Sequence, residues 1–298
     1  IINKVGDSTR MKLVDTGSLQ RKLSVLKGLE AQLWTLSEGP TGTGRARYGL
    51  AIHGKENLQW AQDHPYNPFV TPTIISSGSH TPEMISGLFE GQKSNIINSV
   101  KLLRRAVLEA KGKYNPVVHD EEIARLDWND LTEEERAELA PIIMVADQDE
   151  IIANGAWNKL LLSGDPVKIV ALNNGDLPAN NQALDLIKQR AAMLVSAISL
   201  KNAFVFQTTA TDHSALFGGL TEGLRTNTPA LFILNTPDSS VHTDDNRNWH
   251  QLSDMTLSTR AHFQAKYKTE NADGFLSNAN ELIENPDHGK AWTNKTLS

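Results

Sequence analysis

Four short apolar runs, Ile142 to Ala146, Val167 to Leu172, Ala203 to Phe206 and Ala230 to Leu234, dominate the second half of the chain. The stretches between them are each long enough to hold a helix. Near-continuous apolar strands alternating with helix-length crossovers predict βαβ units, and hence a parallel sheet with helices on both faces. The intervening segments Ile151 to Leu162, Ala183 to Leu200 and His213 to Thr226 supply those helices. A sheet of this kind presents its ligand-binding residues where the carboxyl ends of the strands emerge.

The remainder of the chain is arranged around that core. Residues 1–140 are predicted to be an irregular N-terminal extension with connector helices packing on the core, 141–237 the parallel α/β core, and 238–298 a polar C-terminal tail of loops and one or two short helices. In the extension, Glu38 to Gly44 and His64 to Pro68 are rich in Gly and Pro and interrupt any long regular element. From Ser94, the residues Ile96, Val100, Leu103 and Val107 recur at helical spacing, which places Lys101, Arg104 and Arg105 on the wetter side. Thr132 followed by Glu135 is a capping box that starts a second helix.

With 298 residues and 39% hydrophobic side chains, the chain has enough material for a sizeable core. Its formal charge of −6 is spread over interspersed acids and bases, so nothing marks a nucleic-acid footprint. No apolar stretch approaches the roughly 20 residues of a membrane span. Cysteine is absent, which excludes disulfides and any cysteine-ligated iron–sulfur cluster within this chain. The chain starts at Ile1 without the layout of a secretory signal, and the expectation is a cytoplasmic protein and a piece of a longer polypeptide.

The first core strand runs out at Ala146-Asp147-Gln148 and the second at Asn173-Asn174-Gly175. Asp147 and Asn174 are therefore expected side by side at one sheet edge. A carboxylate and an amide oxygen are hard ligands suited to Mg²⁺, which keeps water and phosphate oxygens as its other partners, and the backbone carbonyl of Asp176 is a third candidate. The bland alternative is that Asp147 and Asn174 only cap helices or brace turns. Thr41 to Gly44 reads as a turn, because no Gly-Lys-Ser/Thr follows it to make a phosphate loop. Arg45 and Arg47 are candidates for gripping a carboxylate. His64 and His213 are candidates for facing the strand ends, whereas His242, Asp244 and His250 lack the spacing of a zinc site.

These residues resemble a known pattern. Thiamine diphosphate enzymes carry Gly-Asp-Gly, a spacer and then Asn-Asn. Here Asp147 is followed, after the 24 residues Asp149 to Leu172 that succeed Gln148, by Asn173-Asn174. The flanking glycines are replaced by Ala146 and Gln148. Leu162 to Val170, Thr228 to Ile233 and Leu257 to Ala261 further resemble segments of pyruvate:ferredoxin oxidoreductase-like proteins, as do Gly42 to Arg47 and His64 to Phe69.

The resemblance implies a thiamine-diphosphate-binding fold in which Asp147, Asn174 and Asp176 hold Mg²⁺, with Ala146, Gln148, Asn173 and Gly175 near thiamine diphosphate. It implies the region of a 2-oxoacid oxidoreductase that takes part in oxidative decarboxylation of a 2-oxoacid such as pyruvate to an acyl-coenzyme A. It also implies a dimer whose partners are other domains or subunits of a larger oxidoreductase. A second reading is a non-catalytic relative of that fold serving assembly or dimerisation, which the altered glycines and missing cysteines favour. A third, a nucleotide-binding doubly wound domain, lacks the glycine-rich turn it needs after the first strand.

Overall fold

In the computed structural model, residues 16–54, 69–174, 182–236 and 262–269 are described, together with positions 61, 257 and 280–281. They fall into two compact units. One takes the described parts of Ile1–Arg45 and Gly91–Glu138, the other those of Ala46–Glu90 and Leu139–Ser298.

The second unit is built on an eight-stranded sheet. Its strands are β1 (Gly49–His53), β2 (Thr73–Ser76), β3 (Ile142–Asp147), β4 (Val167–Asn173), β5 (Phe204–Thr209), β6 (Ala230–Asn235), β7 (Ala265–Tyr267) and β8 (Asn280–Glu281). In space they run β2-β1-β3-β4-β6-β5-β7-β8. The first six are mutually parallel, and β7 and β8 continue the sheet antiparallel. The four predicted strands are thus parallel members of one sheet, although β6 lies between β4 and β5.

One expectation needs correction. The stretch before Pro141 contributes β1 and β2, in register with the core through Gly49 opposite Ile142 and Leu50 opposite Thr73. The run Gly49–His53 is buried throughout, as an inner strand must be, but its five residues sit among Gly- and Pro-rich turns that conceal it. The described part of the tail contributes β7 and β8 to the sheet.

Side-chain alternation sends the two sets of strand residues to opposite faces. On one face Phe204, Phe206, Phe232 and Leu234 form a core with Val170 and Leu172 beneath α8 (His213–Arg225), which contributes Ala215, Leu216 and Leu220. Toward β1 that face continues as Leu50, Ile52, Ile143 and Val145. The other set includes Met144, Ala146, Ile169, Ala171, Leu231 and Ile233, all buried. The crossover helices α5 (Gln148–Asn154), α6 (Trp157–Leu162) and α7 (Gln182–Ser199) bury Ile151, Leu160, Leu161, Met193, Leu194 and Ala197. Lys168, wholly buried in β4, survives there because Nζ donates to the Thr226 and Thr228 carbonyls and the Thr226 hydroxyl. Burial pulls its pKa down to about 8.

The first unit is helical. It contains α1 (Thr16–Ser37), the later part of α2 (Thr81–Ala110), α3 (Pro116–Ala124) and the single turn α4 (Glu133–Arg136). The predicted capping box opens α4: Thr132 Oγ1 accepts from Glu135 N–H, and Thr132 N–H donates to the Glu135 carboxylate. The predicted wet side of α2 is not the wet side. Leu103 and Val107 are about half exposed, while Lys101 donates to the Ala124 carbonyl, Arg104 bonds Glu135 and Arg105 bonds Asp120. The reason is the seam with α1, which is set by Gly28 against Leu102 and by Arg21 bonded to Glu109.

Candidate functional site

The order of β2, β1 and β3 creates a switch point. The chain leaves β1 to one side to make β2 and returns on the other side as β3, and in doubly wound sheets the carboxyl ends of strands flanking such a point are where ligands bind. Three segments meet there: the end of β1, the end of β3 and the first turn of α5.

His53 closes β1 and Gly54 follows with φ +107, a conformation side-chain-bearing residues rarely adopt. The space matters as much as the torsion. A Cβ on Gly54 would lie 2.1 Å from Glu150 Oε2 and 3.1 Å from Asp147 Oδ2, so both carboxylates converge on one glycine. Glu150 Oε2 is buried without a hydrogen bond among the described residues, and His53 Nε2 stands 3.9 Å from it. The other side of that imidazole is fixed. Thr81 donates its hydroxyl proton to the Gly78 carbonyl at 3.0 Å, so its oxygen accepts from His53 Nδ1–H at 2.9 Å.

Asp147 is the N-cap residue of α5, yet its side chain makes no capping hydrogen bond. The capping role that would explain an aspartate here is therefore unused. Asp147 stands opposite Leu172 on the neighbouring β4, one strand spacing of about 4.8 Å away; Asn173 ends that strand and Asn174 follows, two residues past Leu172. The Asn173 carbonyl accepts from Thr236 N–H at 2.7 Å and from the Thr236 hydroxyl, which ties the loop after β6 to the same edge. Gly175 and Asp176 lie outside the described residues.

The two residues standing where the pattern has glycines are both turned inward. Ala146 is fully buried in β3. Gln148 is the first residue of α5 rather than part of a loop, and its buried side chain donates to the Arg190 carbonyl at 3.4 Å. Arg190 in turn makes a bidentate pair with Asp149, at 2.8 and 2.7 Å, which locks α5 to α7 directly behind the site. Sequence reasoning missed His53, Thr81, Asp149, Glu150 and Arg190. The available signal was Asp147-x-x-Glu150, which puts two carboxylates within one helical turn.

The remaining candidates separate clearly. His213 starts α8 at the carboxyl end of β5, behind the N-cap Asp212, and is exposed. Arg45 is ion-paired with Glu138. Thr41 to Gly44 is a turn closing the end of α1, with Gly44 N–H donating to the Glu38 carbonyl. His64 to Pro68, His242, Asp244 and His250 lie outside the described residues, as does most of Leu257 to Ala261. At the end of β5 the buried His262 donates from Nε2 to the Thr208 carbonyl at 3.0 Å, and burial pulls its pKa down to about 4.

Chemically, the ends of β1 and β3 offer hard oxygen donors beside an imidazole whose Nδ1 proton is held by Thr81. Among the described residues no three His, Cys, Asp or Glu side chains form a ready-made metal cage. Carboxylate and amide oxygens are of the hard class that Mg²⁺ takes alongside water and phosphate oxygens. No helix among the described residues is long and apolar enough to cross a membrane. No protein-family model matches the chain, and no curated protein matches it.

Proposed function

We propose that the chain is the thiamine-diphosphate-domain region of a 2-oxoacid:ferredoxin oxidoreductase-like protein, with Mg²⁺ held at the ends of β3 and β4. The observation that carries this reading is the placement of Asp147, uncommitted to capping, one strand away from Asn173-Asn174 at the carboxyl edge beside the switch point. When bound, thiamine diphosphate supplies the carbon nucleophile and the electron sink for oxidative decarboxylation of a 2-oxoacid. The chain's own residues hold and orient. Asp147 and Asn174 furnish cation ligands, Glu150 adds negative charge beside them, and His53 sits against Glu150 with its Nδ1 proton fixed on Thr81. The inward-turned Ala146 and Gln148 leave the cation side of the site unobstructed.

A second reading is a non-catalytic relative of the same fold that serves assembly. It is favoured by the absence of cysteine, which leaves this chain without an iron–sulfur relay. Titration calorimetry with Mg²⁺ and thiamine diphosphate separates the two. The first reading expects magnesium-dependent binding that disappears in Asp147→Ala, weak on this chain because thiamine enzymes as a family complete the site with a second domain. No heat at millimolar ligand supports the assembly role.

A further inference from the structure

Helix α1 carries its apolar face on the outside. Leu19, Leu23, Leu26, Leu33 and Trp34 are each about half exposed or more, and at 3.6 residues per turn they share a single face. The side toward α2 is poorer in large apolar groups: Val25 is buried, Gly28 meets Leu102 and Arg21 reaches Glu109. An amphipathic helix ordinarily buries its leucines against its own domain, and a contiguous exposed apolar patch of this kind marks an interaction surface.

The charges on this face restrict what covers it. Glu30 lies within the leucine face, between Leu26 and Leu33, and Lys22 lies on its border. Among the described residues neither side chain has an ion-pair partner. A parallel copy of α1 would stack Glu30 on Glu30. An antiparallel copy related by a two-fold axis at Leu26 sets Leu26 on Leu26, Leu19 across from Leu33, and Lys22 across from Glu30 in both directions, as an isologous interface requires.

We infer that α1 is a self-association surface on which a second copy of this chain docks antiparallel about Leu26. The inference stands apart from the cofactor reading, since none of these residues belongs to the site at the ends of β1 and β3. One helix face is small beside a standard interface, so the dimer is of modest affinity, with a dissociation constant on the order of micromolar.

Sedimentation equilibrium across a concentration series tests it, with circular dichroism confirming that each variant keeps its helix content. The wild-type chain is expected to show a monomer–dimer equilibrium. Leu26→Glu sets two like charges on the axis and raises the dissociation constant at least about tenfold. Glu30→Lys and Lys22→Glu each weaken the dimer, and the double variant restores it, which only the antiparallel register predicts. A wild-type chain that stays monomeric overturns the inference, and so does a dimer indifferent to Leu26→Glu or a charge exchange without rescue. Should Leu26→Glu lose helix content, the surface charge exchange carries the test alone.

Discussion

Gly219→Ala on α8 is expected to destabilise the chain, although alanine is the better helix former. A Cβ at Gly219 would lie 2.3 Å from two ring carbons of Phe206, far inside van der Waals contact. That ring is itself fixed, because Phe206 is 1% exposed in a core shared with Phe232 and Leu234. Overpacking of this kind costs about 1–3 kcal/mol, and contacts this short belong at the upper end. Alanine returns about 1 kcal/mol of helix propensity, leaving a net loss of about 2 kcal/mol. Gly218 is the internal control: nothing lies within 4 Å of a Cβ there, so Gly218→Ala keeps the propensity gain and is expected to stabilise by about 0.5–1 kcal/mol. The two neighbouring variants should therefore differ by about 3 kcal/mol in urea unfolding, and their melting temperatures should move in opposite directions. A Gly219→Ala protein as stable as wild type would show that α8 does not sit this close to the sheet. Equal losses at both positions would show that helix geometry, and not the aromatic core, sets the preference for glycine.

Three further outcomes are expected. Gly54→Ala meets both a positive φ and the Glu150 carboxylate; it should cost about 2 kcal/mol and abolish magnesium-dependent binding in calorimetry, whereas Gly87→Ala, with open space around its Cβ, should leave binding unchanged. Lys168 has its folded pKa lowered to about 8 from 10.5, so between those values the unfolded chain binds more protons and stability rises with pH, by at most about 3 kcal/mol; Lys168→Met should lack that rise in urea melts across this window. His262, lowered to about 4 from 6.5, works in the same direction at acid pH: stability falls as pH drops from 6.5 toward 4, and His262→Gln should flatten that part of the profile.

The strands that the sequence makes legible are those whose apolar runs stand between helix-length segments, namely β3, β4, β5 and β6. Their spatial order was not legible, because β6 is as apolar as β5 and nothing in either run says which one meets β4. The capping box at Thr132 was legible since its two bonds are local and need no tertiary partner. The polarity of α2 was misread for the opposite reason. Spacing alone marks Leu103 and Val107 as inward, yet the seam with α1 is set by Leu102 and Glu109, and Leu103 and Val107 are left outside. At the site, Asp147 and Asn174 follow from where two strands end. His53 and Glu150 do not, because their meeting depends on β1 pairing with β3, and β1 is only five residues long.

Ala146 and Gln148, which stand where the resembled pattern has glycines, bear on the choice between the two proposed readings in a way spacing alone could not show. From sequence, a glutamine beside Asp147 looks like bulk placed against a diphosphate. In the fold, side-chain alternation turns Ala146 to the face opposite Asp147, and the start of α5 turns Gln148 toward α7, where Met193 and the Arg190 backbone receive it. Its Oε1 is buried without a hydrogen bond, a cost of about 1–3 kcal/mol borne by the interior packing and not by the strand ends. The two side chains therefore bear on how α5 is seated, and the Asp147 and Glu150 carboxylates stay beside Gly54 at the strand ends. The absence of cysteine concerns the fate of electrons in the proposed oxidation rather than the binding of a cation. Under the proposed reading, binding and turnover are therefore separate questions, and a chain that held Mg²⁺ at Asp147 without oxidising a 2-oxoacid would be consistent with every contact described at this edge.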